Sequence, residues 1–224
     1  MSIWLIIILV MVLSYIVQNT LQSRFRKYSK IPTESGMTGA EIATKMLHDN
    51  GIFDVQVISV KGQLTDHFNP ANKTVNLSEG VYSQRSVAAA AVAAHECGHA
   101  VQHAQGYAPL KMRSALVPIV NFANNTVQWV LLLGVLMVNV FPALLWLGIA
   151  LFAMTTLFSL VTLPVEVNAS MRAITWLKSA GITDEKTQPM AIDALKWAAY
   201  TYVIAAIGSL ATLIYYIAMA SRRN

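Results

Sequence analysis

The 224-residue chain is 55% hydrophobic and only 12% charged, with a mean hydropathy of +0.51, whereas a soluble domain carries about 25% charged residues. That excludes a soluble protein and describes an integral membrane protein in a lipid bilayer. The net charge of +5 is spread along the chain without aromatic interleaving, which excludes nucleic acid as a partner and fits membrane topology instead.

Met1 to Ser23 contains no charged side chain. As a helix it reaches about 34 Å, enough for a hydrocarbon core of about 30 Å. It lacks the basic start and the A-x-A-like site of a signal peptide, so residues 1–23 read as a first transmembrane helix. Arg24, Arg26, Lys27 and Lys30 follow at once and place its C-terminal end in the cytoplasm.

Residues 24–113 then form a cytoplasmic α+β domain. Thr38-Gly39-Ala40-Glu41 is a capping-box signature that opens a helix ending near Asn50-Gly51. Asp54–Val60 alternates like a strand, Asp66–Pro70 reads as a loop, and Lys73–Ser78 reads as a second strand. That second strand is either an ordinary hairpin strand or an edge that an extended peptide could pair with. Ser83 or Ser86 caps the next helix, VAAAAVAAHECGHAVQHA (87–104), which has six alanines between Val87 and Ala94.

His95-Glu96-Cys97-Gly98-His99 in that helix is an H-E-x-x-H motif. His95 and His99 project from one face a turn apart and can take two corners of a zinc tetrahedron, with Glu96 beside the open corner. The pattern also arises by chance on surface helices. Here the surroundings are almost free of charge, and an unpartnered His-Glu-His cluster in a buried helix would be costly. Cys97, the single cysteine, rules out an internal disulfide and points away from the metal face as a small apolar filler.

Ser114 to Val165 holds 52 residues without a charge, near 78 Å as one helix, so it must fold back. Asn139-Val140-Phe141-Pro142 supplies the break, giving a hairpin (residues 114–163) of helices from about Leu116 to Val138 and from Pro142 to Leu163. Residues 164–196 return to the cytoplasm, and residues 197–224 are the fourth span and tail, with its helix from Ala191 to Ser221. Arg222 and Arg223 then fall outside against the charge rule, but inverting the topology would export 14 of the 16 Lys and Arg residues. Asn72, Asn76 and Asn124 lie in N-x-[ST] sequons that carry little meaning on a cytoplasmic face.

A zinc held by two histidines needs a third protein ligand. Among eleven acids, Glu166 stands at the inner end of the returning span with apolar neighbours that do not otherwise invite a charge. The plainer reading is an interfacial Glu that marks the end of the span.

Three blocks carry a family resemblance: DHFNPANKTVNLSEGVYS (66–83), HECGHAVQHAQGYAPLKMRSALVP (95–118) and LPVEVNASMRAITWL (163–177). In that order they resemble the YugP-like neutral zinc metallopeptidases of bacterial membranes, and the organisation is similar to the HtpX-type peptidases, whose third zinc ligand is the Glu of an E-x-x-A-D string. The resemblance implies His95 and His99 as ligands, Glu96 as general base, Glu166 as third ligand, and a bacterial plasma (inner) membrane location; the charge rule puts the active site on the cytoplasmic side. Ser170 stands where the HtpX-type pattern has Asp, so Ser170 or another group must orient a histidine.

The expected protein is therefore a mainly α membrane protein of four transmembrane helices with a small zincin-like cytoplasmic domain. Its expected activity is endopeptidase cleavage of membrane or membrane-associated proteins, with one Zn2+ per chain. His67, Tyr82, His103 and Arg172 are candidates to stabilise the tetrahedral oxyanion, each with an ordinary structural role as the alternative. A non-catalytic zinc-bound scaffold or regulatory subunit is the rival function, though an intact Glu96 has no purpose there. A transporter would carry ionisable groups within the spans, and these spans have none. Beyond bilayer and peptide substrate, a membrane-protein partner and a homo-oligomer both remain compatible with the spans.

Overall fold

The computed structural model describes residues 3–221, so Met1, Ser2 and the tail arginines Arg222 and Arg223 lie outside the described residues. Among the described residues, four helices are long and apolar enough to cross a membrane: α1 (Ile3–Tyr28), α5 (Ala108–Leu136), α6 (Pro142–Ser179) and α7 (Gln188–Ser221). Between α1 and α5 come α2 (Gly39–Asp49), β1 (Gln56–Val60), β2 (His67–Asn69), β3 (Thr74–Ser78), α3 (Glu79–Tyr82) and α4 (Val87–Ala104).

The chain divides into two compact units. The first comprises Met1–Ile16, Pro109–Pro164 and Thr201–Asn224 and carries the apolar stretches of the spans. Gly134 and Gly148 let the α5–α6 hairpin close tightly, since a Cβ on Gly134 would stand 2.7 Å from the Leu145 Cα and one on Gly148 2.8 Å from Leu131 Cδ2. Leu131, Val138, Leu145, Ile149 and Ala220 form its buried cluster. Trp4 and Ile8 on α1 and Leu136 on α5 are exposed, the pattern expected of helices whose outer face meets lipid.

The second unit, Val17–Ala108 and Val165–Tyr200, is built around α4. Alanines on nearly every face of α4 allow it to be buried all round, and Ser86 caps it by accepting from the Ala89 N–H at 3.2 Å. The capping box of α2 forms as its sequence dictates, with Thr38 accepting from the Glu41 N–H and Glu41 accepting from the Thr38 N–H at 2.7 Å. Gly51, at φ +72°, turns the chain out of α2.

The sheet differs from the sequence expectation. Residues 67–69, expected as loop, form β2, and the strand order is β1-β3-β2 with β1 parallel and β2 antiparallel to β3. Strand β3 is thus the central strand, with Val75 and Leu77 fully buried, and its edges are not open to a peptide. The outer strands are β1 and β2.

Helix bounds also shift. Helix α5 starts at Ala108 with Pro109 in its first turn and continues through Pro118. Helix α6 runs through Pro164 to Ser179 as one helix of 38 residues, so it continues 16 residues past the expected end at Leu163 (179 − 163). The buried stripe Val165, Ala169, Ala173 and Leu177 explains the continuity: four apolar side chains at i, i+4, i+8 and i+12 outweigh the one backbone bond that Pro164 removes.

Candidate metal centre

Three ligand-bearing side chains meet within the second unit. His95 and His99 come from α4, and Glu166 comes from α6. Gly98 permits the meeting. A Cβ at position 98 would lie 2.6 Å from the Ala169 carbonyl oxygen and 3.1 Å from its Cα, so the backbones of α4 and α6 approach as only glycine allows.

Glu166 Oε2 lies 3.3 Å from His95 Nε2 and 3.5 Å from His99 Nε2, and one ligand atom from each residue falls within 4.8 Å of the others. A zinc tetrahedron with bonds of about 2.0–2.1 Å has edges of about 3.3–3.4 Å. The two rings stand nearly perpendicular, at 83° with centroids 4.8 Å apart. Glu166 is 3% exposed, yet its Oε2 accepts no well-directed hydrogen bond. A buried carboxylate oxygen between two imidazole nitrogens and without a donor is the environment a cation satisfies. Two imidazoles and one carboxylate are also a donor set that suits zinc.

The outer ring nitrogens are held as well. Ser170 Oγ lies 3.1 Å from His95 Nδ1, and Gln102 Oε1 lies 3.1 Å from His99 Nδ1. Burial pushes the Glu96 carboxyl above the usual carboxylate range, against the pull of the two histidines. Burial by itself would lower His99, but the Glu166 and Glu96 carboxylates outweigh it and the net shift is upward. Glu96 is buried and is not one of the three grouped side chains.

A family model described as “Putative neutral zinc metallopeptidase” matches residues 3–221. The chain belongs to this zinc metallopeptidase family. It is 43% identical over 205 residues to “Putative membrane protease YugP” of Bacillus subtilis (strain 168), covering 92% of this chain and 90% of that relative. No solved structure matches it. Family and geometry agree on zinc, since the orphaned Glu166 oxygen and the two Nε2 atoms suit the metal the family name requires.

The other residues singled out in the sequence lie elsewhere. His67 is exposed at the start of β2, with Nδ1 2.8 Å from the Thr65 carbonyl. His103 is exposed, its ring 5.7 Å from that of Phe68. Tyr82 lines a cleft along α2 with Met37, Glu41, Lys45 and Val57. Arg172 donates from Nε to Asn168 Oδ1 and from Nη1 to Gln105 Oε1, each at 2.8 Å. Cys97 turns its thiol toward the Ala43 carbonyl on α2. Gln102, Asn168 and the packing role of Gly98 are not legible in the sequence. The one hint of Gln102 is its place three residues past His99, on an otherwise apolar helix where an amide needs partners.

Proposed function

We propose that the chain is a membrane-embedded zinc endopeptidase, with one zinc held by His95, His99 and Glu166 and with Glu96 as general base. The convergence of Glu166 Oε2 on both Nε2 atoms, at 3.3 and 3.5 Å, carries this reading. Zinc in such a site supplies Lewis-acid polarisation of a carbonyl and acidifies a water.

The chain's own residues supply the rest. Glu96 takes a proton from the attacking water and returns it to the leaving amine, and its burial-raised pKa moves it toward the range a general base needs at neutral pH. His95 and His99 turn Nε2 toward Glu166 while Ser170 and Gln102 hold the rings at Nδ1. The buried alanines of α4 keep water from the back of the site. The polar regions 24–113 and 164–196 lie on the cytoplasmic face of a bacterial plasma membrane. Substrates are membrane or membrane-associated proteins, because the carboxylate ligand sits on a helix that continues from a span.

The test incubates the zinc-loaded, detergent-purified protein with an unfolded membrane protein, with and without a chelator. Cleavage that the chelator abolishes is expected. Binding that survives the chelator, with no cleavage, would replace the enzyme reading with a scaffold.

A further inference from the structure

Gln102 is fully buried, at 0% exposure, and every polar atom of its side chain has a partner. Its Nε2 donates to the Val165 carbonyl at 2.8 Å and to Asn168 Oδ1 at 3.0 Å, while Oε1 faces His99 Nδ1 at 3.1 Å. The sense of this amide is dictated twice. The Val165 carbonyl can only accept, so the nitrogen of Gln102 must face it. Asn168 must present its oxygen, because the Arg172 guanidinium bonded to it at 2.8 Å can only donate. An oxygen at that position again calls for the nitrogen of Gln102. Gln102 Oε1 therefore faces His99, and His99 Nδ1 must carry the proton. A neutral imidazole protonated at Nδ1 keeps its lone pair on Nε2, the atom 3.5 Å from Glu166 Oε2.

We propose that Gln102 is a positioning residue that locks His99 as the Nδ1–H tautomer, and that Arg172, acting through Asn168, sets the sense of that lock. The same amide grips the backbone of Val165, the residue before Glu166, so one side chain holds a ligand on α4 and the neighbour of a ligand on α6. His95 is treated differently. Its Nδ1 meets only the Ser170 hydroxyl, which can donate or accept and so dictates no tautomer. Arg172, a candidate for contact with the reacting carbonyl, is on this account three hydrogen bonds away from His99.

The inference rests on the zinc reading, and the experiment separates the two. In 15N-histidine NMR of the zinc-free wild-type protein at alkaline pH, His99 is expected as the Nδ1–H tautomer. Gln102→Met, near in volume and without polar atoms, should shift His99 toward Nε2–H, leave His95 unchanged, and weaken zinc binding by about 10–100-fold in chelator competition. Asn168→Asp keeps an acceptor for both Gln102 and Arg172 and should escape the loss of about 10–100-fold expected of Gln102→Met. A wild-type His99 protonated at Nε2 overturns the proposal, and this reading needs no variant to fold. So does a folded Gln102→Met protein with unchanged tautomer and affinity. Wild-type protein that binds no zinc while His99 remains Nδ1–H would sink the metal site and leave the tautomer lock standing.

Discussion

Gly98→Ala tests how closely α4 and α6 must approach for the site to exist. The added Cβ would stand 2.6 Å from the Ala169 carbonyl oxygen, and ordinary contact begins at 3.4 Å. The helices must therefore part locally by about 0.8 Å (3.4 − 2.6 Å), because the obstructing atoms are backbone with no rotamer to change. Overpacking of this kind costs about 1–3 kcal/mol. Taken along the ligand line, the same separation stretches the Nε2···Oε2 distances from 3.3 and 3.5 Å to about 4.1 and 4.3 Å, beyond the edge of a zinc tetrahedron of about 3.4 Å. Thermal unfolding of the zinc-free protein and chelator competition for zinc read the two effects separately. The expected result is a lowered midpoint together with a zinc affinity reduced on the order of 10–100-fold. Gly80→Ala is the control, since nothing lies within 4 Å of its added Cβ, and it should leave both unchanged. A Gly98→Ala protein that binds zinc like wild type would refute the claim that this contact sets the site.

Three further outcomes follow from the geometry. Ser170→Ala removes the partner 3.1 Å from His95 Nδ1 and should weaken zinc binding roughly 10-fold; unchanged affinity in chelator competition would take Ser170 out of the account. Glu96→Gln should retain stoichiometric zinc, because Glu96 is not among the three grouped ligands, and lose on the order of 10² to 10⁴ in cleavage rate. Metal analysis paired with kcat decides it, and full activity would remove Glu96 from the mechanism. The Thr38 backbone N–H and hydroxyl hold Glu41 below the usual carboxylate range. Its contribution to stability is present above the unfolded pKa of about 4.3 and is lost as pH falls through the lower folded value. Glu41→Gln, which has no charge to lose, should show a shallower fall of the thermal midpoint below about pH 4. Superimposable acid limbs for the two proteins would contradict that.

The features legible in the sequence are those set by composition or local spacing. Uncharged runs of sufficient length mark spans, Pro142 marks the start of α6, and the Thr38–Glu41 box marks the start of α2. His95 and His99 share a face because four residues make about one helical turn. What stayed hidden depends on contacts distant in sequence. Strand β2 has only three residues within the loop-like text Asp66–Pro70, and it is a strand because β3 pairs with it. The central place of β3 follows from its parallel pairing with β1, which no local pattern encodes. The continuation of α6 past Leu163 is not visible until the Val165–Ala169–Ala173–Leu177 stripe is seen to be buried. Gly98 reads as a variable position of the motif until Ala169, 71 positions later, is found against it (169 − 98). Glu166 could be chosen from position alone, whereas Gln102 could not, because an amide on a helix shows no burial until its neighbours are known.

X-ray absorption at the zinc edge of the purified protein tests the central claim most directly. The expected result is one zinc per chain with imidazole nitrogens at about 2.0–2.1 Å and a carboxylate oxygen at about 2.0–2.2 Å, a shell that Glu166→Ala removes. A sulfur neighbour at about 2.3 Å, or a zinc shell that Glu166→Ala leaves intact, would contradict it.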